Sequence, residues 1–301
     1  LMFEETLKSC TLCPRKCKVN RLEGQRGYCK MDGTLRVARA ALHMWEEPCI
    51  SGEKGSGAVF FSGCGLRCCF CQNRDIAIGD WGKEITVERL GDIFLELQEK
   101  GAANLNLVTG GHYVPYIISA LESAKKRGFI LPVVYNSSGY EEIETLRMLE
   151  GYVDVYLPDM KYLDKNLAKD FSNAPDYPDA ARAAIKEMVR QTGPCVFGTD
   201  GYIKRGTIVR HLILPGHTKN SIAVLDYLYH TYGENIMISV MNQFTPVYEQ
   251  EKYTELNRKV TRREYEKVLN TALDMGITKG YFQEGKTASE SFIPAFDCEG
   301  V

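Results

Sequence analysis

The chain has 301 residues, a hydrophobic fraction of 44% and a formal net charge of −2, a composition typical of a globular protein. This charge balance argues against a nucleic-acid partner, and no apolar run approaches the roughly 20 residues that cross a bilayer, which argues against a membrane protein. The first residues lack the basic start and apolar core of a signal peptide, so we expect a cytoplasmic protein.

Seven of the eleven cysteines fall into two tight groups. An odd number of cysteines does not suit a disulfide framework, and neighbours on such short loops would pair with poor geometry. Thiolate–metal sites in a reducing compartment explain the grouping better. The other four are expected to be buried free thiols, because unpaired cysteine behaves as a small hydrophobe: Cys49, Cys69, Cys195 and Cys298.

The first cysteine group lies near the start of the chain and has the spacing C-x2-C-x3-C-x11-C: Cys10, Cys13, Cys17 and Cys29. Four soft ligands are enough to close a tetrahedral site. The segment has little apolar periodicity, so a bound metal would take the place of a core. Structural zinc and an auxiliary iron–sulfur cluster both fit, because ligand type alone does not separate them.

Residues 34–50 are expected to be partly extended, with two strand-like stretches before a glycine-rich loop at residues 51–57. His43 in this segment is expected to be a packed or surface histidine, as isolated histidines usually are. We place a Cys-rich extension at residues 1–50 and one larger domain at residues 51–301.

The second cysteine group follows a predicted buried strand at residues 57–61 and has the spacing C-x3-C-x2-C: Cys64, Cys68 and Cys71. Three thiolates on one loop can hold three irons of a 4Fe–4S cluster and leave the fourth iron without a protein ligand. An open metal position is what a chemical centre requires and a purely structural one does not. Cys69 is off this spacing and is assigned to packing.

From residue 57 onward, apolar strands alternate with amphipathic helices. We predict strands at residues 57–61, 104–109, 131–135, 152–157, 207–214 and 235–241, and helices at 86–100, 114–128, 140–150, 179–191, 218–232 and 261–273. Residues 163–178 are assigned to a polar linker, and a short terminal strand is placed near residue 281. This order predicts an α/β fold, a partial (β/α)6 TIM-like barrel with a Cys-rich N-terminal metal-binding extension.

In such a barrel the site lies at the carboxyl ends of the strands. Glycines and polar side chains recur there: Gly110, Gly111, His112, Asn136, Ser137, Asp159, Lys161 and His217. By strand-end position alone, the residues expected to line the substrate space are Tyr113, Tyr140, Gln243 and Phe244.

The cysteine loop followed by these strand ends resembles the radical S-adenosylmethionine (SAM) enzymes. Over roughly residues 57 to 285 the order is similar to the pyruvate formate-lyase activating enzymes and their uncharacterised relatives, and residues 13–17 and 43–52 resemble one uncharacterised branch. The resemblance implies a 4Fe–4S cluster whose open iron binds SAM. It also implies reductive cleavage of SAM to methionine and a 5′-deoxyadenosyl radical.

The resemblance assigns roles to individual residues. Cys64, Cys68 and Cys71 match the cluster ligands, and Phe70 matches the aromatic residue beside adenine. Cofactor contacts are implied for Gly110, Gly111, Asp159 and Lys161, whereas His112 stands where the family usually has Glu. Asn136 and Ser137 match residues that lie beside a monovalent cation in some activating enzymes, and Arg210 and His217 lie near the SAM region by strand order.

The resemblance also implies the reaction and its partners. We expect hydrogen abstraction from a protein or peptide substrate, with a flavodoxin or ferredoxin as the reductant. The same chemistry on a small molecule is an alternative, because barrel folds host many reactions. A non-enzymatic iron–sulfur or zinc protein is a weaker alternative, because an electron carrier needs no SAM pocket.

Overall fold

The computed structural model describes residues 2–78, 81–283 and 294–301. Ten strands occur in this part of the chain: β1 (Arg36–His43), β2 (Ser56–Phe61), β3 (Lys83–Glu84), β4 (Leu105–Val108), β5 (Val133–Ser137), β6 (Val155–Pro158), β7 (Val196–Phe197), β8 (Ile203–Leu212), β9 (Met237–Met241) and β10 (Gly280–Phe282). The α-helices are α1 (Met2–Lys8), α2 (Pro48–Ser51), α3 (Arg74–Ala77), α4 (Val87–Glu99), α5 (Val114–Lys126), α6 (Ile143–Met148), α7 (Lys165–Ser172), α8 (Tyr177–Thr192), α9 (Thr218–Tyr232) and α10 (Arg262–Asp274).

The strands form one sheet whose parallel part follows chain order. Strands β2, β4, β5, β6, β8, β9 and β10 are neighbours in that sequence, and each adjacent pair is parallel. Strand β1 pairs antiparallel with β2, β3 pairs with β1, and β7 forms a hairpin with β8. The predicted α/β fold, a TIM-like partial barrel with a mostly parallel sheet, is therefore confirmed.

Helices α4 and α10 begin at residues whose side chains cap the helix. Thr86 accepts a hydrogen bond from the backbone of Arg89 at the start of α4, and Thr261 and Glu264 form the predicted capping box at the start of α10. The apolar face of α4 is buried at Leu90 and Phe94. The periodic helices are thus found at their predicted places, with shifts of a few residues at the ends.

Two predicted segments differ from the structure. The polar linker contains α7, whose N-cap Asp164 accepts hydrogen bonds from the backbone amides of Asn166 and Leu167. This helix has only eight residues and a mostly polar composition, with Ala168, Phe171 and Ser172 buried, so its sequence is not readily distinguished from a polar linker. Residues 34–50 contain one strand and the short α2 instead of two strands.

The segment after β1 enters the barrel. Cys49 and Ile50 of α2 are buried in one cluster with Val134, Val155 and Ile203, which lie at or next to the first residues of β5, β6 and β8. Residues 36–52 therefore pack with the barrel, and the division predicted at residue 50 runs through this packed segment. Among the cysteines expected to be buried free thiols, Cys49 is buried, whereas the other three are half-buried: Cys69, Cys195 and Cys298.

The last described residues run beside β1. The backbone of Ala40 donates to the carbonyl of Glu299 at 2.8 Å, and Cys298 donates to the carbonyl of Ala38 at 3.1 Å. None of the helices in the described ranges has the length and apolar character needed to cross a bilayer.

Candidate active site

A cavity of about 320 Å³ lies at the carboxyl ends of the parallel strands. The loops after β2, β4, β5, β6 and β9 contribute to its wall, as the barrel rule predicts. The predicted site residues that line it are Cys64, Cys68, Phe70, Cys71, Asn136, Ser137, Asp159, Lys161, Arg210 and Gln243. Residues from distant parts of the sequence therefore converge on one space.

The cysteine loop after β2, residues 63–73, is held by its own backbone. Gly63 has φ +89°, and its amide donates to the carbonyl of Ile76 at 2.7 Å. The amide of Cys71 donates to the carbonyl of Cys68 at 3.1 Å, which makes a tight turn between two thiols. The predicted ligands face the cavity and are partly exposed to it.

The three thiols fit a 4Fe–4S cluster by their chemistry and surroundings. Burial and the neighbouring thiols of Cys68 and Cys64 raise the pKa of Cys71, which indicates that the three lie close together. Ser172 donates to the sulfur of Cys68 at 2.9 Å, a contact that favours a thiolate there. In the described ranges, no three His, Cys, Asp or Glu side chains are grouped around one metal-ion position, but a cubane binds each thiolate through a different iron.

Asp159 and Lys161 form an ion pair after β6, and both line the cavity. Burial alone would lower the pKa of Lys161, but the carboxylate of Asp159 and the thiol of Cys68 raise it above its usual value, so Lys161 stays charged. The hydroxyl of Tyr177 accepts from the backbone amide of Lys161 at 2.9 Å and lies 2.9 Å from the carbonyl of Asp159. The hydroxyl of Tyr177 therefore holds the backbone turn that carries the ion pair.

A threonine at the end of β4 was not predicted as a site residue. Thr109 lines the cavity with φ +60°, a left-handed conformation that costs a β-branched residue free energy. Its amide donates to the carbonyl of Asn136 at 2.9 Å, which holds the strained residue in place. Sequence patterns carry no signal for such a conformation, because threonine usually avoids it.

The two glycines after Thr109 do not line the cavity. A Cβ atom at Gly110 would lie 2.6 Å from the side chain of Ile117, and one at Gly111 would lie 2.5 Å from the carboxylate of Glu141. Both glycines therefore allow close packing behind β4. Contact between the cofactor and the backbone of these two glycines stays a prediction.

The side chain of His112 points away from the cavity, contrary to its predicted place beside the cofactor. Its Nε2 lies 2.7 Å from the carbonyl of Ser62, and the guanidinium of Arg21 donates to the backbone carbonyl of His112 at 2.5 Å. Burial and the guanidinium of Arg21 lower the pKa of His112 to about 3, so the ring is neutral. The residue joins the N-terminal segment to the end of β2.

Four other predicted residues lie outside the cavity wall. His217 packs edge-on against Phe171 at 5.1 Å and lies 3.3 Å from the carboxylate of Glu255. Tyr113, Tyr140 and Phe244 are buried in the core. A strand-end position fixes the backbone but not the direction of the side chain, which explains these errors.

A buried ion network from the N-terminal segment forms part of the cavity wall. Arg210 donates to both oxygens of Glu47 at 2.9 and 2.7 Å and also contacts Glu46. Glu46 accepts from Asn106 at 2.9 Å and from Asn136 at 3.3 Å. The sequence shows two adjacent acidic residues without periodicity, so neither was predicted as a site residue.

The N-terminal cysteines lie together away from the cavity. The amide of Tyr28 donates to the sulfur of Cys17 at 3.2 Å, and a Cβ atom at Gly27 would lie 3.5 Å from that sulfur and 3.7 Å from the sulfur of Cys29. Burial, with Cys29 and Cys10 nearby, raises the pKa of Cys13 to about 12. Soft ligands are thus grouped, but no single-ion cage is formed within the described residues.

Comparisons with known proteins show the family of this chain. A sequence model described as the radical SAM superfamily matches residues 58–228, more than half of the chain. An uncharacterised protein of Methanocaldococcus jannaschii is 29% identical over 273 residues, which cover 88% of this chain and 74% of that protein.

Two further matches are partial. The pyruvate formate-lyase-activating enzyme of Clostridium pasteurianum is 32% identical over 120 residues, 38% of this chain and 49% of the enzyme. A crystal structure of Streptococcus suis SuiB bound to S-adenosylmethionine is 14% identical with a TM-score of 0.49, and covers 74% of this chain and 48% of SuiB. The chain thus spans about half the length of these two proteins.

Proposed function

Because the chain belongs to the radical SAM superfamily, which implies a 4Fe–4S cluster and SAM, we propose that it abstracts hydrogen from a protein or peptide substrate. The observation that carries the proposal is that Cys64, Cys68 and Cys71 face one cavity together with the polar strand ends. When bound, the cluster supplies the electron that cleaves SAM and so provides a radical for hydrogen abstraction.

The residues of the chain bind and orient the cofactor. Lys161 and Asp159 offer one charge of each sign beside Cys68, which suits a ligand that carries a carboxylate and hydroxyl groups. Asn136 and Ser137 add amide and hydroxyl groups on the same wall. Phe70 packs against Phe244 at 5.9 Å, so its ring is held in a defined position at the cavity.

The substrate class is supported by the partial similarity to an activating enzyme, whose name states an action on another enzyme. A carbon radical must meet its target hydrogen directly, so the substrate group has to enter this cavity. A small-molecule substrate is the second candidate. The presence of Glu46, Glu47 and Arg210 in the cavity wall favours it, since buried charges can select a small polar ligand.

We assign the N-terminal thiols to a second metal site, zinc or an auxiliary cluster, with Cys10, Cys13, Cys17 and Cys29 as ligands. Their place outside the cavity supports a structural role, because such a site needs no open position. A flavodoxin or ferredoxin is the proposed reductant, and the cytoplasm the proposed compartment.

The reaction is tested by anaerobic reconstitution with iron and sulfide, followed by SAM and dithionite. We expect 5′-deoxyadenosine, detected by mass spectrometry, from the wild type and from Cys69→Ala, and none from Cys71→Ala. Cys69 is a matched control because it lies in the same loop but off the ligand spacing. Absence of product from wild-type protein with a loaded cluster would refute the proposed activity.

The second site is tested in a variant with Cys64, Cys68 and Cys71 all changed to Ala. Zinc without iron after purification would identify a structural zinc site, whereas about four irons per chain would identify an auxiliary cluster. Neither metal in the folded variant would overturn the assignment of a second site.

A further inference from the structure

We propose that Arg15 is a positioning residue for the cysteine loop, through which the metal site at Cys10, Cys13, Cys17 and Cys29 controls how firmly the loop holds its cluster. This inference rests on the proposed function for the presence of the cluster. It concerns residues outside the cavity, to which the comparisons assign no role.

Arg15 makes contacts that join three parts of the fold. Its guanidinium donates to the carbonyl of Gly65 in the cysteine loop at 2.8 Å. It also donates to the carbonyls of Asn173 at 2.7 Å and Ser172 at 3.3 Å, at the end of α7. The last carbonyls of a helix lack partners within the helix, so a cation is stabilising there.

The end of α7 in turn holds the cysteine loop at two points. The amide of Cys69 donates to the carbonyl of Phe171 at 2.8 Å. The hydroxyl of Ser172 donates to the sulfur of Cys68 at 2.9 Å. Arg15 therefore fixes the loop directly at Gly65 and indirectly through the residues that contact two of its cysteines.

Tyr28 provides a second link between the N-terminal segment and the loop. The guanidinium of Arg15 lies 4.0 Å from the centre of its ring, and that of Arg67 lies 4.1 Å from it. Arg67 belongs to the cysteine loop and has φ +59°, so the loop leaves the usual backbone regions where it meets Tyr28. The hydroxyl of Tyr28 accepts from the side chain of Asn173 at 3.1 Å.

The backbones of Arg15 and Tyr28 are hydrogen-bonded to the N-terminal thiols. Arg15 lies between Cys13 and Cys17, and its backbone amide hydrogen-bonds the thiol of Cys13. Tyr28 directly precedes Cys29, and its amide donates to the sulfur of Cys17. A metal that held the four sulfurs would therefore also hold both residues, in addition to the packing of Leu12 and Met31 in the main core.

The cysteine loop also passes close to the N-terminal cysteine group. A Cβ atom at Gly65 would lie 3.7 Å from the sulfur of Cys13 and 3.8 Å from the ring of Tyr140. The guanidinium of Arg15 lies 5.2 Å from the centre of that ring. The loop is therefore packed against the N-terminal site, and a change of sulfur positions there is transmitted over one layer of atoms.

The test compares Arg15→Gln, Arg15→Lys and Lys16→Gln in reconstituted protein. Lys16→Gln is the matched control: it removes the same charge from the same turn, but Lys16 pairs with Glu142 at 3.0 Å and not with the loop. The first readout is hydrogen exchange of peptides that cover residues 62–73. The second is the fraction of cluster whose EPR signal changes on addition of SAM, followed during exposure to an iron chelator.

For Arg15→Gln we expect about tenfold faster exchange in this segment and about tenfold faster loss of the SAM-sensitive signal, because three hydrogen bonds of a charged donor are lost. Arg15→Lys keeps a point charge that cannot reach all three carbonyls, so it should be intermediate. Lys16→Gln should match the wild type. Cys17→Ser, which removes an N-terminal ligand, should reproduce the effect of Arg15→Gln.

Equal exchange and equal signal loss in Arg15→Gln and Lys16→Gln would overturn the inference. If Arg15→Gln does not fold, Arg15→Lys decides: loss of cluster at the wild-type rate overturns the positioning role, and faster loss supports it. A wild type that makes no 5′-deoxyadenosine would refute the proposed function alone, since hydrogen exchange still measures the effect of Arg15 on the loop.

Discussion

The two cysteine groups of this protein have similar spacing but opposite surroundings. The thiols of Cys64, Cys68 and Cys71 face a cavity with charged and polar walls. The thiols of the N-terminal group lie outside it, among backbone amides and packed side chains. Ligand spacing alone predicts metal binding at both, and the different surroundings are the basis for proposing an open site for chemistry at the first group and a closed structural site at the second.

The largest expected effect separates the two groups directly. Cys68→Ala should lower 5′-deoxyadenosine formation at least about 1,000-fold with little change in melting temperature, because it removes a proposed cluster ligand at the cavity wall. Cys29→Ala should lower the melting temperature by about 10 °C or more, since it removes a ligand of the proposed structural metal site. Product assays and thermal unfolding of both variants measure the contrast. Equal loss of activity and stability in both would contradict it.

The next effect concerns the buried network of the N-terminal segment. Glu47→Ala leaves the Arg210 guanidinium with one carboxylate instead of two, and we expect a loss of about 3 kcal/mol in the free energy of unfolding. Urea unfolding measures it. Glu150→Ala removes an exposed partner of Arg190 and should cost less than about 1 kcal/mol. A similar cost for the two variants would show that the network does not hold the segment in the barrel.

A smaller effect is expected on cofactor binding in the cavity. Lys161→Met should weaken SAM binding by about tenfold to thirtyfold, through loss of a charged donor, without a change in metal content. The dissociation constant in reconstituted protein is the measurement. Lys165→Met is the control, because Lys165 pairs with Asp179 at the surface, 2.6 Å away. Unchanged SAM affinity in Lys161→Met would contradict the proposed role of this residue in SAM binding.

The smallest effect depends on pH. The pKa of His112 is about 3 in the fold and about 6.5 when unfolded, so the unfolded chain binds a proton that the folded protein excludes. Stability contributed by the neutral ring is therefore lost as pH falls below about 6.5, by about 1.4 kcal/mol between pH 7.5 and 5.5. In His112→Gln, the free energy of unfolding measured with urea should fall by that much less than in the wild type over the same pH range. An identical slope would contradict the assignment of a buried neutral ring.

The capping box at Thr261 was predicted correctly because its signal lies within a few residues of sequence. The predicted ligands of the C-x3-C-x2-C loop and the strand ends Asp159 and Lys161 also depend on local sequence; they lie at one cavity, and their roles stay predictions. The order of the sheet followed from alternation of strands and helices, because parallel neighbours in such folds are usually consecutive.

The features that were missed depend on contacts between distant segments. Glu47 reaches Arg210 across 163 residues, and neither position is marked by periodicity. His112 faces Ser62 because the chain turns as β4 ends, a direction that a strand-end rule does not specify. Thr109 adopts a backbone conformation against its own preference. Such placements are decided by tertiary packing, which overrides local tendencies.

The distance along the chain between Glu47 and Arg210 has a consequence for how the protein is made. Neighbouring parallel strands are consecutive, so the sheet can grow from local pairings as synthesis proceeds. Glu47 is synthesised 163 residues before Arg210. Until Arg210 follows, this ion pair cannot form, and burial of the Glu47 carboxylate without it is unfavourable. We expect residues 46–52 to acquire protection late, after β4 to β6, in pulse-labelled refolding. A part of the interior that is synthesised early would then be among the last to become buried.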